Sequence, residues 1–265
     1  MNNTSDSCQS RTLLSHDAIP LACDCRGAGS PLLLFIHGWT CRRSYWLPQL
    51  EYFSSSHLVA APDLPGHGES GSGRRALWGV KPFARDVAAC VGALEAEKVI
   101  LIGHSMGGAV ALEAARHLDA TVAGVVLVDT FVIDYGGLSP ETIEAIFSPF
   151  QEDFASAMAA LVAQTATPAT PAELQARLIS EMSAADPAWA LPTWRDLLQW
   201  NPADAFAELQ VPIHAVNGDL IPASARERCA PFVTETLIPG TGHFLQMEDP
   251  SSFNRVLENV LTRLN

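Results

Sequence analysis

The segment VILIGHSMGGAVALEAA, residues 99–115, limits the fold of this chain more than any other. An apolar run of strand length passes through G-H-S-M-G-G straight into a stretch with apolar residues at three- and four-residue steps, the period of a helix packed on one face. Gly103, Gly107 and Gly108 accept the backbone crowding of so sharp a turn, which leaves the Ser105 hydroxyl exposed at the end of the strand. The helix that follows favours negative charge near its N-terminus.

Further short apolar or β-branched runs at 32–36, 58–61, 122–128 and 213–216 read as buried parallel strands, and stretches such as 83–95 and 106–117 between them read as helices. Strand and helix alternate, so the expected class is α/β. The alternation breaks from 138 to 200, where Ala-rich helical segments are punctuated by Pro149, Pro168, Pro171, Pro187 and Pro192. The expected organisation is a core formed by 1–137 and 201–265, with a helical insertion at 138–200. A helix at 250–264, opened by Pro250, closes the chain.

Composition narrows the function. A chain of 265 residues that is 48% hydrophobic and 17% charged suits an ordinary globular domain. Its 16 basic and 29 acidic residues, net −13, argue against nucleic acid as a partner. The first fifteen residues are polar and lack the apolar run of about 7–15 residues that a secretory signal needs. The longest apolar runs fall well short of the roughly 18 residues that span a bilayer, so no membrane partner is expected. Six cysteines, at 8, 23, 25, 41, 90 and 229, form no CxxC pair and no zinc pattern, which points to reduced thiols, a cytoplasmic location and no metal. GxxxxGK[ST] does not occur, and the GxGxxG string at 66–71 overlaps the turn DLPGHGES, so no cofactor is implied.

The G-x-S-x-G string between strand and helix, with FIHGW at 35–39, DLPGHGES at 63–70 and GTGHFLQMEDP at 240–250, resembles the α/β-hydrolase family from about Leu21 to Leu264. The resemblance implies a mostly parallel eight-stranded sheet flanked by helices, with a helical cap after strand six. It implies Ser105 as nucleophile and His243 as its base, in the chain order Ser, acid, His. A serine hydroxyl is a poor nucleophile at neutral pH and needs such a base within hydrogen-bond reach. The backbone N–H groups of Met106 and Trp39 are the expected oxyanion donors. His37, His67 and His104 are expected to hold loop geometry.

The acid has more than one candidate. The family's common position lies just after strand seven, but three residues beyond Gly218 stands Ile221, which cannot orient a histidine. Counting back from Pro222 favours Asp219, with a shortened loop. Asp129, ending VVLVD, is the second candidate, at the end of strand six where certain dehalogenases and cofactor-free ring-cleaving dioxygenases carry their acid. Asp134 is a third.

A cap at 138–200 would roof an apolar pocket, with Phe147, Phe150, Trp189 and Trp194 from the cap and Phe244 beside the histidine as expected substrate contacts. The segment holds eight acidic and two basic residues, so its rim should favour neutral or cationic substrates. The expected activity is hydrolysis of a carboxylic ester or lactone of a small to medium hydrophobic substrate through an acyl-enzyme. A cofactor-free dioxygenase, a C–C bond hydrolase and a receptor that holds a hydrophobic ligand without turnover remain alternatives.

Overall fold

A computed structural model describes residues 9–264; Cys8 and the rest of the polar start before Gln9 lie outside the described residues. Eight strands form one sheet: β1 (Gln9–Leu14), β2 (Pro20–Arg26), β3 (Leu32–Ile36), β4 (Val59–Pro62), β5 (Val99–His104), β6 (Val122–Val128), β7 (Ile213–Asn217) and β8 (Thr234–Leu237). Their order is β1-β2-β4-β3-β5-β6-β7-β8. The first two strands join antiparallel, and every pair from β4 to β8 is parallel. This is the mostly parallel, helix-flanked sheet that the resemblance implied.

Continuous apolar runs make the central strands because both faces of the sheet are covered. In β3, Leu32, Leu34 and Ile36 enter one core while Leu33 and Phe35 enter the other. The same alternation divides Val99 and Leu101 from Ile100 and Ile102 in β5. In β2, Cys23 and Cys25 share the core face with their sulfurs 3.6 Å apart, and the five described cysteines are free and buried.

Eleven α-helices complete the described chain. They are α1 (Leu47–Phe53), α2 (Val80–Ala93), α3 (Met106–Leu118), α4 (Pro140–Glu152), α5 (Phe154–Gln164), α6 (Ala172–Ser183), α7 (Pro187–Gln199), α8 (Ala203–Glu208), α9 (Ala223–Cys229), α10 (Leu245–Glu248) and α11 (Pro250–Leu264). Five of them, α4 to α8, lie between β6 and β7, and the first four fall within 138–200. Side-chain caps start three of these four: Ser139 accepts from Thr142 N–H, Asp153 from Ser156 N–H and Asp186 from Ala188 N–H. No helix among the described residues is long and apolar enough to cross a membrane.

Candidate active site

The turn from β5 into α3 carries Ser105 at φ 55°, ψ −123°, a positive-φ conformation that costs a side-chain-bearing residue roughly 1–3 kcal/mol and persists only where packing enforces it. Packing does so here. A Cβ on Gly103 would overlap the Gly107 carbonyl, and one on Gly107 would lie 2.7 Å from the His37 carbonyl oxygen. Strand and helix therefore cross at backbone distance, and the serine is left on the outside of the bend.

The FIHGW loop lies against this elbow. A Cβ on Gly38 would stand 3.2 Å from the Ser105 Cβ and 3.3 Å from the Cys41 sulfur. Among the described residues, the N–H groups of Met106 and Trp39 donate to no protein acceptor. His37 ties this loop to the next one: its Nδ1–H donates to the Gly38 carbonyl at 2.8 Å while its Nε2 accepts from Leu64 N–H at 3.0 Å. Burial holds the His37 imidazole below its ordinary pKa, so it stays neutral. The DLPGHGES turn is organised around fully buried Asp63, which accepts from the Arg43 and Glu69 backbone N–H groups and pairs with the Arg43 guanidinium.

His243 Nδ1 stands 2.7 Å from Asp129 Oδ2, and the second oxygen of Asp129 accepts from Gly218 N–H at 2.9 Å. Asp129 is fully buried in the left-handed region at φ 47°, ψ 38°. Sheet order explains the pairing. Strands β5 and β6 are neighbours with His104 opposite Val128, and Ser105 N–H donates to the Val128 carbonyl at 2.9 Å, so the residue that ends each strand lies beside the other.

Asp219, favoured by loop counting, is not at the histidine ring. It lies one strand farther away, exposed, and its carboxylate accepts from Gly240 N–H at 2.8 Å, bracing the turn before the histidine loop. Asp134 pairs with Arg228 and accepts from the Ser224 hydroxyl. Counting along one loop could not reveal that a neighbouring strand already supplied a buried carboxylate.

The histidine loop has two further supports. Glu248 accepts from the Gly242 and Phe244 N–H groups at 2.8 and 3.2 Å, closing the loop on itself. Nε2–H of His104 donates to the His243 carbonyl at 2.8 Å, and the two rings are 4.6 Å apart. Burial, with His243 next to it, holds His104 well below the ordinary histidine pKa. Glu248 had no signal in the sequence beyond its place inside the GTGHFLQMEDP motif.

Ser105 and His243 border one cavity of about 340 Å³. Apart from His243 its walls carry no ionisable acid or base of the Asp, Glu, Lys or Arg type. Trp194 and Phe244 border it, whereas Phe147, Phe150 and Trp189 do not. Phe150 packs behind Trp39 and Trp194, with ring centroids 5.3 and 5.7 Å away. The Arg195 guanidinium lies 3.9 Å above the Phe147 ring, and Trp189 packs on His67 at 4.2 Å. Phe147, Phe150 and Trp189 thus fasten the helices to one another and to the core, and Ile146, Leu161 and Val162 share the wall with Trp39, Trp194 and Phe244. Trp39 is the main fastening: it stacks on Trp194 at 4.4 Å and 5°, and its Nε1–H donates to the Ala190 carbonyl at 3.0 Å. Tyr135 also borders the cavity, from a loop that the sequence marked only by its position after strand six.

A model of the alpha/beta hydrolase family matches residues 33–256. The magnesium-chelatase 30 kDa subunit of Rhodobacter capsulatus is 36% identical over 112 residues, covering 42% of this chain and only 39% of that protein. The pimeloyl-[acyl-carrier protein] methyl ester esterase of Pseudoalteromonas atlantica is 27% identical over 204 residues, 73% of this chain and 77% of that one. Among solved structures, Est816, described as an N-acyl homoserine lactone degrading enzyme, superposes with a TM-score of 0.82 at 22% identity, covering 94% of this chain and 99% of its own; this likeness speaks to the fold.

Proposed function

The chain belongs to the alpha/beta hydrolase family, and from that premise we propose that it cleaves a carboxylic ester or lactone of a small to medium hydrophobic substrate through a Ser105–His243–Asp129 triad. The observation that carries the reading is the His243 to Asp129 hydrogen bond of 2.7 Å at the wall of the cavity that also holds the strained Ser105. A relative named as a methyl ester esterase supports the ester chemistry.

Asp129, as a carboxylate, accepts the Nδ1–H of His243, which leaves the lone pair on Nε2 for the serine proton. Ser105 Oγ attacks the carbonyl carbon, the proton passes to His243, and the oxyanion takes hydrogen bonds from the Met106 and Trp39 N–H groups, each worth roughly 3–4 kcal/mol. The alcohol leaves with the proton from His243. Water, deprotonated by the same imidazole, then attacks the acyl-enzyme and releases the acid.

Residues 138–200 act as a cap over a core made by 1–137 and 201–265. The Trp39 to Trp194 stack and the bond from His243 N–H to the Thr165 carbonyl, 2.9 Å, support this by joining the helices directly to the site. Five free, buried cysteines support a reducing, cytoplasmic setting.

The test is p-nitrophenyl butyrate turnover with labelling of Ser105 by a fluorophosphonate. Wild type should turn over and label, and Ser105→Ala should do neither; equal turnover by the two proteins would overturn the assignment. The placement of Asp129 at the end of β6 favours one second reading, a cofactor-free dioxygenase, which oxygen consumption with a hydroxyquinolone would reveal.

A further inference from the structure

Two residues that line the cavity carry a hydrogen-bond donor without an acceptor. Tyr135 is 1% exposed and borders the cavity, and among the described residues no hydrogen bond reaches its hydroxyl. Its phenol is held above the ordinary tyrosine pKa by burial alone. Trp194 is 2% exposed, borders the same cavity, and its Nε1–H is buried without a partner. Three other polar wall residues are committed, Cys41 to the Trp39 carbonyl, Thr165 to the Val162 carbonyl and the Trp39 indole to the Ala190 carbonyl, and Gln164 is exposed. Buried donors are paired in nearly all folded proteins, and an unpaired donor at a ligand cavity marks where a ligand supplies the acceptor.

The chemistry of that acceptor follows from the wall. No Lys or Arg borders the cavity, so a carboxylate or phosphate on the substrate would be buried without a counter-charge. A neutral oxygen acceptor meets no such cost. Resting on the hydrolase reading, we propose that Tyr135 is a specificity-determining residue that selects esters or lactones whose acyl part carries a second, neutral oxygen acceptor such as a ketone or amide carbonyl. A purely hydrocarbon acyl chain would leave the Tyr135 hydroxyl unpaired.

Ethyl levulinate and ethyl valerate differ by one ketone in place of a methylene and separate the two cases. For wild type, kcat/KM should favour levulinate by roughly tenfold, the size of one well-formed hydrogen bond to a buried donor, and Tyr135→Phe should bring the ratio close to that of the intrinsic reactivities in alkaline hydrolysis. A wild-type ratio already equal to the intrinsic one, or a ratio unchanged in Tyr135→Phe, overturns the proposal. Binding to Ser105→Ala, followed by quenching of tryptophan fluorescence, asks the same question without turnover. Tighter binding of levulinate that is lost in the Ser105→Ala, Tyr135→Phe double variant upholds the subsite even if neither ester is hydrolysed, and equal binding of the two esters rejects it. Failure of hydrolysis with selective binding would thus count against the hydrolase reading alone.

Discussion

Replacing Asp129 with Asn tests the site more sharply than any other change, because the substitution preserves shape and exchanges one acceptor oxygen for an NH2 donor. In the native arrangement a carboxylate oxygen lies 2.7 Å from His243 Nδ1, and the other oxygen accepts from Gly218 N–H. An asparagine can keep the Gly218 bond through its carbonyl oxygen, but its NH2 group then faces Nδ1 as a donor. The imidazole must adopt the opposite tautomer, with its proton on Nε2, and it can no longer take the proton of Ser105. The expected loss is about four decades in kcat, or roughly 5 kcal/mol of transition-state stabilisation. Asp219→Asn is the matched control: it touches only the exposed bond to Gly240 N–H, worth about 0.5–1.5 kcal/mol of stability, and should leave kcat within about threefold. Steady-state kinetics on p-nitrophenyl butyrate, with circular dichroism to confirm folding, decide the matter. A folded Asp129→Asn variant with near-native kcat, or an equal collapse in Asp219→Asn, would refute the reasoning.

Gly108→Ala should lower stability by about 1–3 kcal/mol in urea unfolding, since its Cβ would overlap the Thr130 hydroxyl, in the residue that follows Asp129, and stand 2.9 Å from the Thr130 Cβ. Activity should fall as well, because Thr130 adjoins the acid. His37, His67 and His104 are held below the ordinary histidine value by burial, so these folded-state imidazoles bind fewer protons than the unfolded chain does. Their contribution to stability is present above about pH 6.5 and is lost as pH falls below it, so the urea midpoint should drop between about pH 7 and 5, and imidazole NMR signals from all three should stay neutral through about pH 7. Asp17, brought down to about 2 by its hydrogen bond to Arg75, contributes stability above its ordinary 3.8 that disappears as pH falls toward 2. Asp17→Asn should flatten that acid limb, while its effect at neutral pH stays under about 1 kcal/mol because the carboxylate is a third exposed.

Local chemistry alone determined much of this molecule. The central strands were legible because a sheet covered on both faces needs unbroken apolar runs, and Ser105 because three glycines around one serine have few other uses between a strand and a helix. His243 was marked by the loop motif that surrounds it. Each of these is written in consecutive residues, where backbone sterics and hydrophobic period act.

Tertiary structure decided the rest. The carboxylate beside His243 comes from 114 positions away, and only the adjacency of β5 and β6 selects Asp129 over Asp219, which is nearer in sequence. The cavity wall depended on how α4 to α7 settle, for the rings of Phe147, Phe150 and Trp189 are buried between elements while Tyr135 reaches the site from a connecting loop. A single chain position states which residues are apolar or acidic. Which apolar groups meet each other, which meet a ligand, and which acid meets the base are properties of packing between distant segments.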